Sequence, residues 1–130
     1  MGYTHYWNKK AELDQNKWSK EFVPAVNRII ELSDVELANS MGDALTDPTV
    51  DSNMVSLNGL GDDSYESFIV TRGKEDFTFC KTAHRPYDKV CVAILMLANE
   101  LFEDFEWSSD GDDEEHWEGK LLFEQVLIKN

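Results

Sequence analysis

The chain has few of the residues that announce chemistry. Its two cysteines, Cys80 and Cys91, are too few for a disulfide framework and lack the paired spacing of a zinc site, which points to a reducing, intracellular setting. None of its histidines, His5, His84 and His116, forms an HxH or HExxH pair, so a metal centre would need convergence from distant segments. A GxSxG elbow and a glycine-rich phosphate loop are both missing. No apolar run reaches the roughly 18 residues of a membrane span, and no apolar stretch follows a basic start. These absences lead us to expect a soluble protein of a host-cell cytoplasm, with no metal, no cofactor and no assigned catalytic residue.

Cations are scarce as well. Twelve Lys and Arg face 26 Asp and Glu, for a formal net charge of −14. Such a field keeps nucleic acid and anionic membranes away. It draws in a basic protein partner instead, with an association that weakens as salt is added.

What the chain does have is apolar material: 42% of its 130 residues, with 12% aromatic, enough for one buried core. The pattern predicts a single α+β domain over residues 1–130, a small antiparallel sheet packed against two or three helices. The first strand runs through Gly2–Trp7, with Tyr3, His5 and Trp7 on one face. Trp18, Phe22, Ala25, Val26, Ile29 and Ile30 recur at helical spacing, and Pro24 requires a kink or a fresh start near Val23. Ser33 and Glu36 have the spacing of a capping box for another short helix, and Met41–Asn53 has the composition of a loop.

A short strand is expected at Met54–Leu57. Tyr65–Thr71 and Phe77–Thr82 look like an antiparallel hairpin around Arg72–Asp76. Pro86 and Asp88 suit a helix start, and the apolar run from Val90 to Ala98 marks the core helix. Phe105–Trp107 is a candidate strand. A last helix is expected after Asp112, with Leu121–Ile128 as a strand the alternative and Gly119 a weak point.

Three places could carry chemistry. The turn Lys81–Asp88 gathers Lys81, Thr82, Arg85 and Asp88 at a helix N-terminus, where unpaired N–H groups favour an anion, although such cations also pair with ordinary surface acids. His5, among aromatics, could stack on a base or sugar, or simply belong to the core. Glu106, Ser108 and Asp110 have the spacing of calcium ligands around Gly111, but Trp117 stands where the bidentate glutamate belongs, which argues against an EF-hand. Between Glu100 and Glu118 ten acids occur without one Lys or Arg. Such runs commonly only solvate a surface. With Phe105, Trp107 and Trp117 interleaved, this one could also imitate the charge of DNA while aromatics anchor a partner.

The stretches GYTHYW, NGLGDDSYESF, FTFCKTAHRPYD and FEWSSDGDDEEHW together resemble a family of small proteins met in bacteriophages and mobile elements. The resemblance spans most of the chain and implies an origin rather than an activity. Its polar motif positions are His5, Trp7, Asn58, Asp62, Lys81, Thr82, Tyr87, Asp88, Ser109 and Asp110.

The leading expectation is therefore a phage-type acidic protein that inhibits or modulates a basic host protein. That host protein would handle nucleic acid or serve defence, CRISPR-type systems included. Asp110, Asp112, Asp113, Glu114, Glu115 and Glu118 would meet its cations, with Trp107 and Trp117 beside them. The alternative is a nucleotide- or phosphate-binding protein or enzyme using His5, Lys81, Thr82, Arg85 and Asp88. A phage accessory domain with neither site is a third possibility, and oligomeric state is not legible.

Overall fold

The computed structural model describes residues 3–128. Strand β1 (Thr4–Lys9) is the centre of a three-stranded antiparallel sheet, between β6 (Glu75–Lys81) and β7 (Phe105–Ser109). Its register sets Tyr6 against Phe79 on one side and Ser108 on the other, and His5 against Cys80 and Ser109. Alternation then sends Tyr3, His5, Trp7 and Lys9 inward, and all four are buried. Lys9 follows the same alternation, and a bulge on β6 between Thr78 and Glu75 sets Glu75 opposite it. There its ammonium donates to the carboxylate of Glu75, and it lies 3.5 Å from Thr71 Oγ1.

Helix α1 covers residues 15–33 in three parts: α-helical Gln15–Lys17, a π-helical turn Trp18–Phe22, and α-helical Val23–Ser33. Asp14 caps its start, accepting from the Lys17 N–H at 2.8 Å. The wide turn resolves the difficulty of Pro24. Val23 donates to the Trp18 carbonyl, five residues back, just before the residue that has no N–H to give. The helix therefore continues past the proline and keeps Trp18, Phe22, Val26 and Ile29 buried on one stripe.

At Asp34 the chain turns left-handed (φ 60°) and the helix stops. The expected capping box at Ser33 and Glu36 does not form. Ser33 Oγ donates to the Ile30 carbonyl and accepts from the Val35 N–H, so it closes a helix instead of opening one. Strand β2 (Leu37–Ala38) follows. The expected loop from Met41 contains one short strand, β3 (Thr49–Val50).

Strand β4 (Met54–Gly59) pairs antiparallel with β2, β3 and β5 (Phe68–Thr71) in a second sheet, with a 3₁₀ turn at Gly61–Asp63. The expected β5–β6 hairpin is thus replaced: β5 pairs with β4, and β6 pairs with β1. Periodicity identified both strands but could not choose their partners. The Lys9–Glu75 ion pair holds the start of β6 against β1.

Helix α2 (Asp88–Leu101) is buried over most of its circumference, as the apolar run required, and packs against α1, β7 and α3 (Trp117–Ile128). The strand alternative for the last segment is excluded. Gly119, the expected weak point, is what permits the α2–α3 packing, because a Cβ there would lie 2.6 Å from the Val92 side chain. The described residues form one compact α+β domain of three helices and two small antiparallel sheets. Among the described residues no helix is long and apolar enough to cross a membrane.

Candidate functional site

Where β6 gives way to α2, the turn after Thr82 places Ala83 (φ 52°) and His84 (φ 61°) successively in the left-handed region, which costs roughly 1–2 kcal/mol per non-glycine residue. Backbone bonds hold it: Thr82 N–H to the Tyr3 carbonyl at 3.1 Å, and Arg85 N–H to the Thr82 carbonyl at 3.0 Å. Thr82 Oγ1 donates to Asp88 Oδ1 at 2.5 Å. His84 stacks on Tyr3, ring centroids 3.8 Å apart, and points Nε2 at Glu115 Oε2, 3.4 Å away.

Asp88 is the hinge of a buried polar chain. Its Oδ1 lies 2.6 Å from His5 Nε2, His5 Nδ1 lies 2.8 Å from Ser109 Oγ, and His116 Nε2 lies 3.1 Å from the same Oγ. A carboxylate can only accept, so His5 Nε2 carries the proton. The Ser109 oxygen also accepts from the Gly111 N–H at 3.0 Å. His116 is kept below the ordinary imidazole value by burial and by the neighbouring His5, against the pull of Asp88 and Glu115.

This is the connectivity of an Asp–His–Ser triad, which sequence spacing could not reveal because its members come from three separate segments. Its chemistry is nevertheless closed. Ser109 Oγ has three neighbours within hydrogen-bond reach, His5 Nδ1, His116 Nε2 and the Gly111 N–H, and His5 and Thr82 are fully buried. The Tyr3 hydroxyl is also buried beside Gly111 and meets no hydrogen-bonding partner. Burial, with Asp88 and Glu115 adding to it, raises its pKa well above the phenol value. The arrangement ties β1, β7 and the starts of α2 and α3 together and offers no free nucleophile.

The turn does border a cleft, of about 490 Å³, beside Pro86. Of the anion-site candidates only Arg85 and Asp88 line it; His5 and Thr82 lie in the core, and Lys81 points with Phe77 and Phe79 to the opposite face of β6. Six carboxylates line the cleft, from Asp34, Glu36, Asp63, Asp88, Glu115 and Glu118, against the cations Arg85 and Lys89. Lys89 is paired with Glu118 at 3.6 Å, and the Arg85 guanidinium sits over the Tyr65 ring, 5.7 Å from its centroid. Such a lining repels a phosphate.

In the acidic segment, Asp112, Asp113, Glu114, Glu115 and Glu118 are all exposed, as is Trp117, whereas Trp107 is half-buried between His5 and His116. Several of these acids also have structural roles. Asp112 and Glu115 form a reciprocal capping box, N–H to carboxylate in both directions at 3.0 and 3.1 Å. Asp110 accepts from the Thr4 N–H at 3.2 Å and from the Tyr6 hydroxyl at 3.1 Å, and that bond raises the Tyr6 pKa. Asp113 and Glu114 have no partner among the described residues. No group of His, Cys, Asp and Glu among those residues is arranged to hold a metal ion.

Comparison of the chain with family models, with curated proteins and with solved structures finds no match. The phage resemblance therefore rests on its motifs alone. Several of their polar residues are structural. Asn58, for instance, accepts from the N–H groups of Gly59 and Tyr65 and donates to the carbonyls of Ser40 and Tyr65.

Proposed function

We propose that this chain is a non-enzymatic, phage-type binding protein that inhibits or modulates a basic host protein by occupying a cleft meant for nucleic acid. The observation that carries this reading is the exposure of Asp112, Asp113, Glu114, Glu115 and Glu118 on one surface stretch, within a chain of net charge −14. Carboxylates there take the place of phosphates, and long-range attraction speeds encounter. The closed hydrogen-bonding of Ser109 supports a binding role over a hydrolytic one.

Asp113 and Glu114 are the cleanest probes, because reversing Asp112, Glu115 or Glu118 also removes a structural contact. Capture of basic partners from host lysate is expected to be strong at low salt and weak at high salt, and the Asp113→Lys/Glu114→Lys variant should lose it while melting at the wild-type temperature. Unchanged capture by the variant would overturn the proposal. The second reading, a nucleotide- or phosphate-binding protein or enzyme, draws on the cleft beside Pro86. A rise in melting temperature with ATP or inorganic phosphate would favour it; the acidic lining speaks against that outcome.

A further inference from the structure

A half-buried antiparallel strand ordinarily turns polar side chains to water. Strand β6 turns rings outward: Phe77 is 64% and Phe79 54% exposed. Tyr6, on the neighbouring strand, completes the group, with ring centroids 5.9 Å apart for Tyr6–Phe77 and 5.9 Å for Phe77–Phe79. No described element covers this face, since the helices pack on the side of Trp7, Cys80 and Phe105.

The rim decides what the face can hold. Exposed Asp76, Glu106 and Asp110 border the rings, and Asp110 is hydrogen-bonded to the Tyr6 hydroxyl at 3.1 Å, which makes the aromatic face continuous with the acidic segment. Lys10 is paired with Glu106 at 3.5 Å, and among the described residues of β6 Lys81 is the cation that shares the face with the rings. Single-stranded nucleic acid also stacks on aromatic platforms, but on ones set in a positively charged groove. A second copy of the chain would bring another −14 charges against these acids. A planar guanidinium satisfies both features, lying on the rings and pairing with the carboxylates.

We propose that the outer face of the β6–β1–β7 sheet docks an arginine-bearing segment of a basic protein, with guanidinium groups on Tyr6, Phe77 and Phe79 and against Glu106 and Asp110. This rests on the basic-partner reading and deepens it: the acids steer the encounter, and the rings select and anchor the partner.

The test uses the full chain with a ten-residue polyarginine peptide and a ten-residue polylysine peptide as probes, titrated at physiological salt. The wild-type protein should prefer arginine by about fivefold, the scale of an exposed cation–π contact. Phe77→Ser/Phe79→Ser should abolish that preference, and Asp113→Lys/Glu114→Lys should weaken both peptides alike while keeping it. Ring ¹H–¹³C shifts of Phe77 and Phe79 in the unmutated protein should move on adding polyarginine, a readout that needs no variant to fold. Full affinity and preference in the Phe77→Ser/Phe79→Ser protein would overturn this inference and leave the basic-partner reading standing. No binding of either peptide by the wild-type protein would overturn both. Binding of oligo(dT) at this face, or a dimer that Phe77→Ser/Phe79→Ser dissociates, would replace the arginine segment with another occupant.

Discussion

Each face of the β6–β1–β7 sheet departs from the ordinary division of side chains, the inner by the polar groups among its core residues and the outer by its exposed rings. Inside lie His5, Lys9 and Ser109; outside lie Phe77, Phe79 and Tyr6. Buried polar groups and exposed apolar ones are the informative departures from a simple core-and-surface pattern, and here they teach different things. His5, Lys9 and Ser109 each have a partner within hydrogen-bond reach, so their roles are closed within the fold. The outer rings have only one another and an acidic border, so theirs are open to a partner.

The comparison can be broken most sharply at the Lys9–Glu75 pair. Glu75→Gln leaves a fully buried ammonium without its counter-charge, and urea denaturation should show a loss of about 3 kcal/mol, at the low end for buried pairs because Glu75 is partly solvated. Asp88→Ala comes next, removing the acceptor of both His5 and Thr82, for a loss of about 2 kcal/mol with partner capture unchanged below the melting transition.

Acid should erode the inner face more gently. Burial pushes the Glu75 carboxyl up, but the hydrogen bond and charge of Lys9 outweigh it and hold the pKa below the ordinary value; that of His116 is also lowered, by burial first. A lowered folded pKa gives stability that is complete above the unfolded value and lost as pH falls through the folded one. Melting temperature should therefore decline as pH drops below the imidazole range, and again below the carboxylate range. Toward alkaline pH the sign reverses. Burial pushes the Cys80 thiol up to about 12, so its contribution is present below the ordinary thiol value and lost as pH rises toward that point. Smaller still, Ala83→Gly should raise stability by up to about 1 kcal/mol by relieving one left-handed residue. On the outer face, Phe77→Ser/Phe79→Ser should change stability by no more than about 0.5 kcal/mol.

Much of the fold was legible in the residues. Alternation of Tyr3, His5 and Trp7 marked β1, helical spacing from Trp18 to Ile29 marked α1, and the apolar run after Pro86 marked α2. Strand partnership was not legible, since Phe68/Val70 and Phe77/Phe79 alternate alike whichever strand they join. Alternation put Phe77, Phe79 and Lys81 on one side, yet it carries no information on which side the helices cover. The polar chain was invisible for a different reason: His5 and Ser109 stand 104 residues apart, and only β1–β7 pairing brings them together. Lys9 escaped because the expected strand ended at Trp7, although the same alternation turns Lys9 inward. The acidity of residues 110–118 was plain, but the capping box of Asp112 and Glu115 leaves fewer of those acids free for a partner than their number suggested.

The most direct measurement sets Ser109→Ala beside Phe77→Ser/Phe79→Ser, each assayed for melting temperature and for binding of the polyarginine peptide. The inner variant should melt lower, by a loss of about 1–2 kcal/mol, and bind as wild type. The outer variant should melt as wild type and lose the arginine preference. The reverse pattern, with binding abolished by Ser109→Ala and untouched by loss of the rings, would contradict the assignment of structure to the inner face and recognition to the outer one.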